Sequence, residues 1–117
     1  MRIGELAHAT GVTTRTLRHY EAEGLLDSAR SANGYRLYPA EAVLRVHNIR
    51  ELLAIGFTVG DVRAFVRYLD QRLPPAFGDQ GGCATAMRVA RRRLEQLRER
   101  IDVITALHDA LTARMPS

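Results

Sequence analysis

The stretch that decides the fold is residues 3–26, IGELAHATGVTTRTLRHYEAEGLL. Its first segment, from Ile3 to Ala9, has the apolar spacing of a short helix. Gly11 interrupts this spacing, and Thr13 or Thr14 stands where an N-cap is expected, directly before a second helical segment that ends at Gly24. Two short helices joined by a tight turn that contains glycine predict a helix-turn-helix.

A β-hairpin is predicted directly after the second helix. Residues 25–39, LLDSARSANGYRLYP, have no helical periodicity, and Asn33-Gly34 precedes the alternating residues 35–38. Asn-Gly between extended segments is typical of a type I′ turn, in which both residues adopt a positive φ. We expect the hairpin to present Arg36 on one face and Tyr35 and Leu37 on the other.

Two more helices are predicted before residue 70. Pro39 fits the first turn of a helix that runs to about Ile55, and Thr58 caps another that runs to about Asp70. Their core-facing positions are predicted to be Val43, Val46, Ile49, Leu52 and Leu53 in the first helix, and Val62, Phe65, Val66 and Leu69 in the second. Residues 71–83 are rich in proline and glycine, so we interpret them as a loop that connects domain 1–70 to residues 84–115.

Residues 84–115 contain neither proline nor glycine, which predicts one continuous helix of roughly 45 Å. Apolar positions at alternating spacings of three and four form a heptad seam: Met87, Ala90, Leu94, Leu97, Ile101, Ile104, His108, Leu111 and Met115. Such a seam needs a second helix to cover it. Either the helix folds back on its own domain or, as we favour, it pairs with a second copy, in a direction that the pattern does not specify. We interpret His108 as a polar residue that sets the register of the pair.

Hydrogen-bond donors gather on the second helix of the helix-turn-helix: Thr13, Thr14, Arg15, Arg18, His19 and Tyr20. A recognition helix places its N-terminal residues at base edges in the major groove, so Arg15 and Arg18 are expected to reach guanine or phosphate. A solvated arginine face is the alternative. The neighbouring hairpin favours DNA as the partner, because Arg36 and Tyr38 would supply a second phosphate-binding element.

Composition limits the classes of function. The chain has 117 residues and a net charge of +4, and apart from histidine its basic residues are all arginine. This composition indicates an anionic partner only weakly, because genomic coding bias also explains the absence of lysine. No segment has the ~20 apolar residues of a membrane-spanning helix, no signal peptide is evident, and a single cysteine cannot form an internal disulfide. We therefore expect a cytoplasmic protein without a membrane partner.

No catalytic or phosphate-loop motif is present in the sequence, so we expect neither an enzyme nor a cofactor. The alternative to a DNA-binding protein is an interaction module that uses the coiled coil.

The segments IGELAHATGVTTRTLRHYEAEGLL, NGYRLYP and LLAIGFTVGDV resemble, in order and spacing, the MerR family of bacterial transcription regulators. The resemblance covers nearly the whole chain. It implies a mainly α protein in which a winged helix-turn-helix DNA-binding domain is followed by a long dimerisation helix that forms an antiparallel coiled coil in a homodimer. It also implies binding to an inverted repeat in a promoter with an overlong spacer, which the dimer bends and untwists for RNA polymerase.

The resemblance carries residue roles with it. Arg15 and Arg18 would bind the half-site and Tyr20 a phosphate, and the wing would contribute Asn33, Gly34, Tyr35, Arg36 and Tyr38. The dimer interface would contain Met87, Leu94, Leu97, Ile101, Ile104, His108 and Leu111.

Cys83 falls where the mercury- and zinc-sensing branches of the family place a cysteine. The sequence lacks the two further thiol ligands of those branches and the C-terminal ligand domain of the drug-sensing members, so no metal site is expected. A helix N-terminus favours a thiolate, and Cys83 is therefore a candidate redox or electrophile sensor. The alternatives are a small residue that packs near the dimer interface and a regulator that responds to no effector.

Overall fold

The architecture is mainly helical, with one small sheet. We describe residues 1–77 and 84–117 of a computed structural model of the chain. In chain order the elements are α1 (Ile3–Thr10), α2 (Thr14–Ala22), β1 (Ala29–Arg30), β2 (Arg36–Leu37), α3 (Ala42–Ala54), α4 (Val59–Val62), a 3₁₀ helix (Arg63–Tyr68) and α5 (Ala84–Arg114). We call residues 1–77 the head.

Helices α1 and α2 form the helix-turn-helix that the sequence predicts. Gly11 ends α1 with a φ of 71°, a left-handed conformation that glycine adopts without a steric penalty. Thr13 caps α2, because its hydroxyl oxygen accepts a hydrogen bond from the backbone nitrogen of Thr16 at 3.1 Å. Leu6 and Leu17 are fully buried, so each helix turns one apolar side into the core and α2 keeps its opposite side exposed.

The hairpin after α2 is confirmed, but its turn differs from the prediction. Strands β1 and β2 pair antiparallel in the register Ala29–Leu37 and Arg30–Arg36. The backbone nitrogen of Gly34 donates to the carbonyl oxygen of Ser31 at 2.9 Å, and of these turn residues Gly34 alone has a positive φ, of 83°. The predicted type I′ turn is therefore wrong, since it needs a positive φ at Asn33 as well. A three-residue loop that ends in a left-handed glycine leaves Asn33 unstrained.

Helix α3 supplies the centre of the core. Its buried residues are Ala42, Val46, Asn48, Ile49 and Leu52. The predicted core positions Val43 and Leu53 are half-buried at the edge of this cluster. The helix begins at Ala42 rather than at Pro39, because Pro39 opens a tighter turn in which the nitrogen of Ala42 donates to the carbonyl oxygen of Pro39 at 3.0 Å.

The segment after α3 is helical from Thr58, as predicted, but only its first turn is α-helical. Thr58 and Asp61 form a reciprocal capping box around α4. From Arg63 the backbone continues as a 3₁₀ helix instead of the α-helix predicted to Asp70. Residues three apart share a face in both helix types, so the spacings of three in this segment do not distinguish them.

Polar side chains of α3 tie the other segments of the head together. Asn48 is buried, and Arg45 is half-buried. These side chains and that of Arg50 donate to backbone carbonyl oxygens. Asn48 donates to Leu69 and Gln71, both at 2.7 Å, Arg45 donates to Leu25 at 2.6 Å, and Arg50 donates to Thr10 at 2.9 Å. These bonds fix α1, the segment after α2 and the end of the 3₁₀ helix around α3.

Helix α5 is continuous over 31 residues, as the sequence predicts. Ala86 is buried, and Val89 and Ala90 pack against the core of the head. Leu97 approaches Gly56 so closely that a Cβ on that glycine would lie 3.2 Å from its Cδ1 atom. Beyond Leu97 every residue of α5 is exposed. In the two described ranges, no helix is long and apolar enough to cross a membrane.

Asp61 joins the head to α5. Its Oδ2 atom accepts a hydrogen bond from Arg93 Nε at 2.7 Å and another from the backbone nitrogen of Thr58 at 3.0 Å. Burial raises the pKa of Asp61, but the hydrogen bonds from Arg93 and Thr58 outweigh burial and hold the pKa below its ordinary value. The ionised carboxylate therefore contributes to stability above the ordinary pKa of about 3.9, and this contribution is lost as the pH falls through the lower pKa of the folded chain.

Asp61→Ala is expected to lower the free energy of unfolding by about 1–3 kcal/mol at pH 7, because it removes a helix cap and an ion pair together. Denaturant unfolding from pH 7 to pH 2 measures this loss, which should shrink below about pH 4. Asp102→Ala, which removes an exposed carboxylate 3.5 Å from Arg98, is the control and should change stability by less than about 0.5 kcal/mol. A loss at Asp61 that does not depend on pH contradicts the assignment.

Candidate DNA-binding surface

Helix α2 presents an exposed and basic face. Its exposed residues include Thr13, Arg15, Arg18 and His19, and Thr14 is half-buried. Within residues 1–77 and 84–117, neither Arg15 nor Arg18 belongs to an ion pair. Their guanidinium groups are available to an external acceptor, whereas the hydroxyl of Thr13 is engaged in the cap of α2.

The two tyrosines among the predicted DNA contacts lie in the core. Tyr20 is 4% exposed and Tyr38 is 2% exposed. Burial raises the pKa of both hydroxyl groups, an effect that Arg50 partly offsets at Tyr20 and that the hydrogen bond to Glu21 reinforces at Tyr38. Neither ring is presented to a ligand at the surface, so we leave both tyrosines out of the interface proposed below.

Glu21 links α2 to the wing. Its Oε1 atom accepts a hydrogen bond from the hydroxyl of Tyr38 at 2.8 Å, and its Oε2 atom lies 3.4 Å from Arg36 Nε. The two carboxylate oxygens thus hold two residues of the hairpin and fix its orientation relative to α2. Four predicted residues of the wing are exposed: Asn33, Gly34, Tyr35 and Arg36.

Two arginines that the sequence did not single out complete the surface. Arg2 and Arg30 line a cleft of about 320 Å³ together with Arg18 and Arg36. Arg30 pairs with Arg36 in the hairpin, so a prediction with the correct hairpin turn would have identified Arg30 as well. Arg2 precedes α1, and no sequence pattern marks it.

The predicted dimer seam divides into two parts. Met87 and Leu97 are half-buried, since the N-terminal half of α5 runs along the head. The remaining predicted residues are exposed: Leu94, Ile101, Ile104, His108 and Leu111. Val103 and Leu107, which lie outside the seam, are exposed as well and were not predicted.

Cys83, the candidate sensor, lies outside the described residues. Among the residues that are described, no group of three or more histidine, cysteine, aspartate or glutamate side chains is placed to hold a metal ion.

Known proteins share this arrangement of the head. Residues 1–69 match the family model described as MerR HTH family regulatory protein. The chain belongs to the MerR family. This MerR chain is similar over most of its length to the solved structure of the transcription regulator PbrR691 from Ralstonia metallidurans CH34 in complex with lead(II). Its TM-score is 0.76 at 30% identity, over 97% of this chain and 83% of that one.

Curated relatives agree with this assignment. The HTH-type transcriptional activator SoxR homolog of Chromobacterium violaceum is 36% identical over 93% of this chain and 70% of the relative. The nodulation protein NolA of Bradyrhizobium elkanii is 40% identical over 94% of this chain, and the chain spans 44% of its length. This chain therefore spans less than half of that NolA protein. As a member of the MerR family, this chain carries the helix-turn-helix of that family.

Proposed function

We propose that this regulator binds promoter DNA as a homodimer, with α2 of each subunit in the major groove and the wing on the flanking backbone. The exposed face of α2 supports the proposal most strongly, because Arg15 and Arg18 have no ion-pair partner in the described ranges and lie on the helix that Glu21 links to the wing. Base edges and phosphates are bound by side chains that are not engaged elsewhere. Residues 1–70 then form the DNA-binding domain, 71–83 the connecting loop and 84–115 the dimerisation helix.

The far half of α5 supports pairing with a second copy. From Leu94 onward, the large apolar side chains of α5 except Leu97, together with Met115 just after the helix, are between 51% and 66% exposed: Leu94, Ile101, Val103, Ile104, Leu107, Leu111 and Met115. Burial of one such side chain contributes about 1.5–3 kcal/mol, so mutual burial of two seams is strongly favourable. Folding back on the same head is disfavoured, because α5 leaves the head beyond Leu97 and no described segment packs against the rest of it.

An antiparallel pair would separate the two heads by about one turn of DNA. Ile101 is the middle residue of the seam, and the contacts of α5 with its own head run from Ala86 to Leu97. At a rise of 1.5 Å per residue, the midpoint of those contacts lies about 15 Å from Ile101. A two-fold axis near Ile101 places the heads about 30 Å apart, close to the roughly 34 Å between successive major-groove segments on one side of a duplex. A parallel pair would place both heads at one end.

The proposed target is an inverted repeat in a promoter whose spacer is too long for RNA polymerase. Membership of the MerR family supports this target and the proposal that the bound dimer bends and untwists it. Such a deformation costs a few kcal/mol, which the contacts made by the bent duplex offset. Two heads joined by rigid helices supply the fixed geometry that a deformation of this kind requires.

The signal is proposed to be a redox change, an electrophile or another small molecule, with Cys83 as its site. The position of Cys83 directly before α5 supports this proposal, because a change there would act on the start of the dimerisation helix. The alternative is a regulator that needs no effector. The promoter response of Cys83→Ser to oxidants and aldehydes distinguishes the two, since an unchanged response eliminates the sensor.

Arg18→Ala is expected to weaken binding about five- to 150-fold for each half-site of the operator, because it removes from each subunit a contact worth about 1–3 kcal/mol. The operator is first obtained by selecting duplexes from a random pool with the purified chain, and gel-shift titration then gives the affinities. Arg67→Ala is the matched control, since it removes the same charge from an exposed position on the 3₁₀ helix. If both variants bind the operator as tightly as the unmodified chain, α2 is not the recognition helix.

Replacing Ile101 and Ile104 together by glutamate should convert the dimer to a monomer, because it places charges in the seam. Light scattering at micromolar concentration measures the mass, with 13.1 kDa expected for the monomer. The control is the double variant Ala106→Glu and Ala113→Glu, which adds the same charge on the opposite side of α5 and should leave the dimer intact. Equal masses for the two double variants would mean that the predicted seam is not the interface.

A further inference from the structure

The cleft lined by Arg2, Arg18, Arg30 and Arg36 gathers positive charge from three segments that are distant in sequence. Its other lining residues are Ile3, Gly34 and Tyr35, so within residues 1–77 and 84–117 no carboxylate lines the cleft. Glu21 reaches Arg36 from the side of α2 and is also bonded to Tyr38. Guanidinium groups held around one cleft repel one another, and an anion between them relieves that repulsion.

Arg2 is held at the edge of this cleft by an aromatic ring. Its guanidinium carbon lies 3.8 Å from the centroid of the ring of Tyr35, which is 51% exposed. Stacking fixes the plane of a guanidinium while its edge N–H groups stay available to an acceptor. The backbone is fixed as well, because the nitrogen of Arg2 donates to Glu5 Oε1 at 3.0 Å and the carbonyl oxygen of Met1 accepts from the nitrogen of Tyr38 at 2.6 Å. Arg2 is therefore preorganised relative to the wing.

The other cationic groups come from α2 and from the hairpin. Arg30 Nη1 donates to the carbonyl oxygen of Gly34 at 2.8 Å, which holds the side chain against the turn and leaves its other donors available. Arg18 enters from the exposed face of α2. The cleft thus opens between the recognition helix and the wing. When a helix lies in the major groove and a wing on the flanking strand, the sugar-phosphate backbone passes between them.

We propose that this cleft binds one phosphate group of the DNA backbone, and that Arg2, stacked on Tyr35, is a ligand of that phosphate together with Arg30. Neither arginine is among the residues that the helix-turn-helix and wing patterns predict. The proposal rests on the proposed DNA-binding function and adds to it a contact that positions the subunit without reading the base sequence.

Arg2→Ala tests the proposal in the full-length chain. It should weaken binding about five- to tenfold for the operator and for random duplex alike, and it should reduce the slope of log affinity against log salt by about 1 per subunit. Arg2→Lys, which keeps the charge but loses the planar stack, should fall between Arg2→Ala and the unmodified chain. Arg67→Ala should stay within twofold.

The failure of this proposal is distinguishable from failure of the proposed function. If the unmodified chain binds its operator but Arg2→Ala matches Arg67→Ala in affinity and salt slope, the cleft does not hold a phosphate and DNA binding stands. If the unmodified chain binds no duplex, the proposed function itself fails.

The phosphate can be located with duplexes that carry one neutral methylphosphonate at successive positions beside the half-site. At the phosphate in the cleft, neutralisation should weaken binding by the unmodified chain and have no further effect on Arg2→Ala. A scan without any such position overturns the proposal. Free inorganic phosphate supplies a further test, followed by NMR. If it saturates the cleft while Arg2→Ala leaves the affinity for DNA unchanged, the cleft binds free phosphate and not the DNA backbone, and the proposal is overturned.

Discussion

The uncovered apolar edge of α5 is the constraint on which the rest of the structure depends. The helix is fixed to its own head only as far as Leu97, and the large side chains beyond that point face water. In the proposed dimer a second copy covers them, which would join the two heads into one unit with a set spacing. The second head of that dimer would bind at a high effective concentration, so modest contacts in each half-site would combine into tight binding.

Arginine serves two purposes in this chain. Arg45, Arg50 and Arg63 donate to backbone carbonyl groups, and Arg93 donates to Asp61, so these four side chains join segments of the head and α5. Arg15 and Arg18 are exposed on α2 and form no ion pair within residues 1–77 and 84–117, whereas Arg30 and Arg36 of the wing contact Gly34 and Glu21. The planar guanidinium suits both purposes, because it bonds to several acceptors in fixed directions. The placement of exposed arginines on α2 and the wing, more than the net charge, defines the proposed binding face.

Features that depend on local periodicity and capping were predictable from the sequence. Both helices of the helix-turn-helix, the caps at Thr13 and Thr58 and the extent of α5 belong to this class. Features that depend on tertiary packing were not. A tyrosine can lie at the solvent-exposed surface or in a core where its hydroxyl is hydrogen-bonded. Only the packed structure therefore places Tyr38 against Glu21. Arg2 joins the cleft because folding brings Met1 beside the second strand of the wing.

The direction of the two α5 helices tests the central claim most directly. Nitroxide labels on Asp102→Cys and, separately, on Arg88→Cys, both in a Cys83→Ser background, report the distance between equivalent positions by pulsed EPR. An antiparallel pair predicts about 20 Å at the first position and about 40 Å at the second, because the first lies beside the two-fold axis and the second about 20 Å along the helix from it. Equal short distances at both positions, or no dipolar coupling at either, would contradict the account.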